Sequence, residues 1–235
     1  MKATTWEFRN RAMVFGLIFG LSFPLYAIDH HNAGSWIADH LSTHTGIEAG
    51  VFLPYIFAIA AVPVALCALV RTWASAYLLK DVVYAADVQT AALVADGPYR
   101  YVRNPLYFGN VLMALGMGLL ASRVGFLVLV AGVTAFCYRL ILREESELSA
   151  TQGESYEAYR RAVPRLLMSP VAKVPSAGTN AQWAAALRAE AWCWSLPIGM
   201  IAFAATLNLG IFFAAAGVAL AAAWIWNRLG SRKPV

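Results

Sequence analysis

Charged side chains of both signs gather beside apolar runs at two places in this chain, and together they have the chemistry of a site for a zwitterion. The first place is Gly97-Pro98-Tyr99-Arg100-Tyr101-Val102-Arg103-Asn104-Pro105-Leu106-Tyr107-Phe108-Gly109, which sets Arg100 and Arg103 just ahead of a long apolar run. Asn104 followed by Pro105 spells a helix start: a capping side chain, then a proline whose missing N–H costs nothing. A helix N-terminus beside two arginines favours a carboxylate or phosphate. The plainer alternative is a cap with membrane-surface anchors. The second place is Arg143-Glu144-Glu145, at the end of another apolar run, where the helix dipole disfavours anions. Arg143 and, one turn earlier, Arg139 can pair with carboxylates at helical spacing. A solvated helix exit is the plainer alternative there. If the two places meet, the arginines face the anionic end of a ligand and the glutamates its cationic end.

The elements that must hold these groups are membrane helices. Of 235 residues, 60% are hydrophobic and 13% charged, roughly half the charged fraction of a soluble domain. Mean hydropathy is +0.59 and the pI is about 9.2. The net charge of +5 comes from basic residues beside apolar runs, so topology and anionic headgroups explain it and no nucleic-acid partner is expected. Cys67, Cys137 and Cys193 lie inside apolar runs without CxxC spacing and read as small core residues. His40 and His44 are spaced i, i+4 beside Asp39, and His30 and His31 follow Asp29. A polar loop explains these better than a metal site, so no metal is expected. No Walker loop, GxSxG elbow, HExxH helix or dinucleotide GxGxxG is present. Any cofactor must therefore bind among the membrane helices. The polar segment 1–10 precedes an apolar run with no small-residue cleavage site, which predicts a retained first span.

About six runs approach the roughly 20 residues a span needs: 11–28, 50–70, 106–122, 124–142, 191–207 and 209–226. Gly16 and Gly20 have the GxxxG spacing that lets another helix approach closely. Pro24, Pro54 and Pro63 imply kinks or late starts. The segment 29–48 has no lysine or arginine, whereas Lys2, Arg9 and Arg11, then Arg71, Lys80, Arg100 and Arg103, then Arg143 to Arg188, then Arg228 to Lys233 all fall on one side of a six-span chain. Only Arg123 falls on the other. The positive-inside rule then makes both termini cytoplasmic. Short turns at Ser122-Arg123 and Asn208-Leu209-Gly210 force antiparallel hairpins. The first of these returns Arg139, Arg143, Glu144 and Glu145 to the face that holds Arg103, Asn104 and Tyr107. Between 142 and 170, Leu148, Tyr156, Tyr159, Val163, Leu166 and Leu167 keep a helical pattern, broken at Gly153, that predicts helices on the membrane surface. The chain is thus expected to be an all-α integral membrane protein of about six transmembrane helices. It divides into N-terminal spans (1–92), a core with surface helices (93–170), and a linker with a separable C-terminal hairpin (171–235). The tyrosines Tyr99, Tyr101, Tyr107, Tyr138, Tyr156 and Tyr159 form an aromatic belt on the cytoplasmic side, with Tyr107 a candidate for holding a cation.

The stretch 97–109 resembles the GPYRxxRHPxYxG signature of the isoprenylcysteine carboxyl methyltransferase and phospholipid methyltransferase family. Arg143-Glu144-Glu145, Tyr156, Tyr159 and Val163-Pro164-Arg165 resemble its second block, an EE pair followed by YxxY and a VPR-like end. The resemblance spans about 93–167. It implies a membrane methyltransferase that uses S-adenosylmethionine on the cytoplasmic side, with a lipophilic acceptor (carboxylate, amine or thiol) entering from the bilayer, in a multi-pass protein of a bacterial inner membrane. It further implies that Arg103, with Asn104 and Tyr107, contacts the cofactor carboxylate, and that Glu144 and Glu145 meet its amino group or ribose. Leu93 and Val94 would form an adenine wall, and Gly97, Tyr99 and Arg100 would line the cofactor. Arg139, Tyr159, Arg160 and Arg165 would close the site or position the acceptor. Asn104 stands where carboxyl methyltransferases carry histidine; it cannot titrate near neutral pH, so an acceptor needing a histidine base is disfavoured. The alternatives are an NADPH-dependent membrane reductase of the sterol-reductase type and a non-catalytic lipid-binding or transport protein. No lysine, aspartate or glutamate near a span centre supports proton-coupled transport.

Overall fold

The computed structural model describes residues 1–78 and 95–230. Within them the chain is helical throughout: α1 (Thr5–Arg9), α2 (Arg11–Ser22), α3 (Ala33–Thr45), α4 (Ala49–Tyr77), α5 (Pro105–Gly118), α6 (Arg123–Gln152), α7 (Glu154–Ala162), α8 (Trp183–Ala189), α9 (Ala191–Thr206) and α10 (Leu209–Gly230), with short 3-10 turns at Phe23–Ala27 and Gly97–Arg100. Among the described residues three helices are long and apolar enough to cross a membrane: Ala49–Tyr77, Arg123–Gln152 and Leu209–Arg228. Arg11–Ala27 and Ala191–Thr206 are apolar but shorter. Large exposed apolar side chains along these helices, among them Leu17, Ile59, Leu127, Ile201 and Phe213, are what a bilayer-facing surface requires.

Helix α4 is the packing centre. On one side α5 lies so close that a Cβ on Gly116 would sit 2.4 Å from the Ala60 carbonyl, a contact that needs glycine. On the other side α9 and α10 bury Met200, Phe203 and Phe212 against Phe57, Val64 and Met113. A second cluster joins α6 to α2 and α5 through Leu129, Val133, Phe136 and Leu140, with Phe8, Tyr107 and Ala114. The α5–α6 hairpin turns at Ser122, whose hydroxyl caps α6 by accepting from the Gly125 N–H at 3.0 Å. Helix α6 stops at Gln152 because Gly153, at φ +56°, turns the chain into α7. The break expected at Gly153 is therefore present, and α7 buries Tyr156 and Tyr159.

Several local expectations are corrected. The apolar run 50–70 is part of a longer helix that continues to Tyr77 and takes Arg71 with it, buried to 7% exposure. Helix α4 runs through both Pro54 and Pro63, so neither marks a late start. A Cβ on Gly16 or Gly20 would meet nothing within 4 Å, so the GxxxG spacing serves no contact among the described residues. The polar segment 29–48 is not a loop: Asn32 caps α3 by accepting from the Ser35 N–H at 2.8 Å, and the His40 and His44 rings lie 4.4 Å apart on it. Arg123, the one cation on the wrong side of the charge pattern, pairs with buried Asp29 at 2.8 Å.

Candidate active site

The first wall is the turn before α5. Gly97 adopts φ +55°, and a Cβ there would lie 2.3 Å from the Tyr77 ring, so only glycine fits between that ring and the turn. Tyr99 is buried and its carbonyl accepts from the Tyr159 hydroxyl at 2.8 Å, which ties the turn to α7. Burial pushes both phenols above their ordinary range, so Tyr159 acts as a neutral donor. Arg100 turns away from the glutamates: its Nε donates to the Val174 carbonyl at 2.9 Å. It belongs to a strap, residues 169–182, laced across the turn. Ser169 N donates to Tyr101 O at 3.0 Å and Lys173 N to Arg100 O at 2.8 Å. Asp96 accepts from the Ser176 hydroxyl at 2.6 Å and from Thr179 N at 2.8 Å. Those two donors hold the Asp96 carboxyl down to about 2.

The second wall comes from α6. Glu145, with 4% of its side chain exposed, is clamped between Arg103 at 3.0 Å and Arg165 at 2.9 Å. Arg165 also donates to the Tyr138 hydroxyl at 3.0 Å. Arg103 donates through its backbone N–H to Pro164 O at 2.9 Å and through its guanidinium to the Arg160 carbonyl. Its Nε is buried with no hydrogen-bond partner among the described residues. Glu144 is half-buried and accepts from the Tyr107 hydroxyl at 2.5 Å, and the charge of Arg11 on α2 acts on it. The two glutamates thus have different surroundings. Glu145 ties three chain segments together, while Glu144 keeps capacity for another donor.

Asn104 does not cap α5 with its side chain. Its amide donates to the Arg165 carbonyl at 2.9 Å and, more weakly, to Glu145 at 3.4 Å, because the incoming 163–165 segment offers better-placed acceptors. Only the backbone carbonyl of Asn104 starts the helix, accepting from Phe108 N at 3.0 Å. Arg139 is likewise drawn elsewhere. It pairs with Glu7 of α1 at 2.6 Å, where the Thr4 capping box presents the carboxylate. Arg143 pairs with Glu147 at 2.8 Å, the helical spacing expected. The Arg160 side chain pairs with Glu157 at 2.9 Å, and only its carbonyl joins the cluster. Leu93 and Val94 lie outside the described residues.

Behind this cluster is a polar network that the sequence reading did not assemble. Arg71 of α4 donates to Glu190 at 2.8 and 3.2 Å and to the Asn110 side chain of α5 at 2.9 Å. Ser75 donates to Glu190 at 2.8 Å, and the Trp192 ring lies 5.3 Å from the guanidinium. Glu190 is fully buried. The network joins α4, α5 and the start of α9, so the final hairpin is bonded to the helix that carries Tyr107.

Residues 55–154 match the family model of phospholipid methyltransferase. The chain is 42% identical over 73 residues to a protein-S-isoprenylcysteine O-methyltransferase of Schizosaccharomyces pombe, covering 31% of each chain. It is 41% identical over 69 residues to a methanethiol S-methyltransferase of Crocosphaera subtropica, covering 29% of this chain and 26% of that one. A broader match, 24% identical over 144 residues, is to the cobalt-zinc-cadmium resistance protein CzcN of Cupriavidus metallidurans, covering 58% of this chain and 63% of that one. The chain thus spans less than two thirds of the length of each of these relatives. No solved structure matches the chain. The matched segment takes in α4, α5 and α6 and so contains Arg103, Asn104, Tyr107, Glu144 and Glu145. That segment is thus similar to the phospholipid methyltransferase family model and to the isoprenylcysteine and methanethiol methyltransferases.

Proposed function

We propose that the chain transfers a methyl group from S-adenosylmethionine to a lipophilic acceptor that reaches the site from the bilayer. The observation that carries this reading is the division of labour between the two glutamates within the family-matched segment. The residues fit a zwitterionic cofactor. Glu144, whose carboxylate Tyr107 orients and the Arg11 charge partly offsets, would receive an ammonium. Arg103, whose buried Nε has no partner, would receive a carboxylate at the start of α5. Bound there, the cofactor supplies a sulfonium methyl for direct displacement by the acceptor. Glu145, Arg165 and Asn104 act as scaffold, fixing Arg103 against the 160–165 segment, and Tyr159 fixes the turn at Tyr99. Alignment and exclusion of water are the main means such a site has for lowering the barrier.

The relatives' names include an O-methyltransferase of isoprenylcysteine and an S-methyltransferase of a thiol, and oxygen and sulfur acceptors attack as anions or readily ionised groups. An acceptor of that kind suits this chain, because Asn104 cannot take a proton and Glu145 is neutralised by two arginines. In our reading the site faces the cytoplasm. Six membrane segments place both described ends there, α7 lies on the surface, and the membrane is the bacterial inner membrane. The core is 93–170, flanked by 1–92 and 171–235. The test is calorimetric titration of the purified protein with S-adenosylhomocysteine, followed by radiolabelled methyl transfer into a lipid extract. Saturable binding that weakens in Glu144→Gln is expected; absence of saturable binding in the wild type refutes the proposal.

A further inference from the structure

Outside the matched segment, α8, α9 and α10 line an open apolar groove of about 390 Å³ walled by Leu187, Trp194, Ile198, Ala219, Ala223 and Trp226. That volume is within the range of ligand-holding pockets. Helix α10, of which 6% of the most apolar window is buried, exposes this side of the bundle to the surrounding lipid. The end nearest α8 is cationic. The Arg188 guanidinium lies 5.9 Å from the centre of the Trp226 ring that walls the groove, and its Nε is buried with no hydrogen-bond partner among the described residues. Asn227 donates to the Arg188 carbonyl at 3.1 Å and so fixes α8 to the last turn of α10. Arg228, stacked at 5.0 Å over Trp224, lies on the side of α10 away from Ala219, Ala223 and Trp226.

No acid of this hairpin balances these cations. Glu190 is the only acidic residue after Glu157 in the whole sequence, and both of its oxygens are taken by Arg71 and Ser75 in the interior. An apolar channel ending at an uncompensated arginine matches a molecule with an apolar tail and an anionic head. We infer that the groove binds an anionic phospholipid, its acyl chain along Trp194, Ile198 and Trp226 and its phosphate at Arg188. This site is distinct from the Glu144 site and does not depend on the methyltransferase reading.

The test uses the purified full chain reconstituted in phosphatidylcholine vesicles that contain a tenth of brominated phosphatidylglycerol or, in parallel, of brominated phosphatidylcholine. Bromine quenches nearby tryptophans, and Trp194 and Trp226 line the groove. The part of the quenching lost in Trp226→Phe should show about a fivefold preference for phosphatidylglycerol, the preference one basic residue gives at a membrane surface. Arg188→Gln should abolish most of it, and Ala219→Phe, which fills the groove while leaving the arginines, should reduce quenching by both lipids. Equal quenching of the wild type by the two lipids means that the groove takes any acyl chain and overturns the inference. So does a preference that survives Arg188→Gln.

Discussion

Neutralising Glu145 and neutralising Glu144 should have opposite signatures, although the residues are adjacent. Glu145 has 4% of its side chain exposed and faces Arg103, 7% exposed, and Arg165, 31% exposed. Glu145→Gln leaves a buried guanidinium without its counter-charge, and removing one partner of a buried pair costs about 3–5 kcal/mol. For a chain of this size each kcal/mol moves the midpoint by about 2–4 °C. The expected loss in Tm is on the order of 10 °C, read by a thermofluor scan in detergent at one fixed heating rate. Glu144→Gln weakens an acceptor of the Tyr107 hydroxyl and removes the charge facing Arg11 in a half-buried position, together worth about 1 kcal/mol, so its Tm should fall by less than about 4 °C. Its effect should appear in ligand affinity. Losing a charged hydrogen-bond partner costs about 1.5–3 kcal/mol, which is a Kd for S-adenosylhomocysteine raised roughly 10- to 150-fold. A Glu145→Gln protein that melts with the wild type refutes the structural role given to the clamp. A Glu144→Gln protein that binds like the wild type refutes the ammonium role.

Glu190→Gln should destabilise by a similar 3–5 kcal/mol, whereas Arg71→Met combined with Glu190→Leu should recover most of it, since an apolar pair of similar size is often no worse than a buried ion pair; a double variant that melts below both singles refutes this. Asp96 carries a pH prediction: its carboxyl sits at about 2, against an ordinary 3.8, so its stabilising hold on the strap is complete above about pH 4 and is lost as pH falls toward 2. Hydrogen exchange of amides 171–182, corrected for intrinsic rate, should accelerate across that window, and Asp96→Asn should show the accelerated rates already at neutral pH; protection that stays flat in both cases counts against the latch. Gly97→Ala should lower Tm or expression sharply because of both its φ of +55° and the Tyr77 ring 2.3 Å from the new Cβ, and a Tyr77→Ala background should recover only the steric part.

The helical membrane character and the meeting of Arg103, Tyr107 and the glutamates were legible because each follows from a local rule. Long apolar runs become helices, and a two-residue turn between them brings their far ends together. What was not legible depended on choosing among partners. Asn104 looked like a cap because its neighbour is proline, but the side chain went to the Arg165 carbonyl, which lies 61 positions away. Arg139 and Arg100 looked like members of the cluster, and each found a nearer oxygen in a segment whose packing the sequence does not display. Arg71 was read as a loop anchor because hydropathy falls there; burial with Glu190 reverses that preference. A signal was present, since Glu190 stands alone among the acids of the last third of the chain, at the edge of an apolar run.

The Arg71–Glu190 pair also sets a condition on biogenesis. Its members are 119 positions apart, and at about 5–20 residues per second a ribosome takes about 6–24 s to go from one to the other. Throughout that interval α4 carries an arginine whose counter-charge has not been made, and hydrocarbon does not tolerate it at depth. The nascent helix must ride high, with the guanidinium held among headgroups, and settle only when Glu190 emerges. Stalled chains that end before residue 190 should therefore leave a cysteine placed at Ala74 open to a water-soluble maleimide, and longer chains should close it.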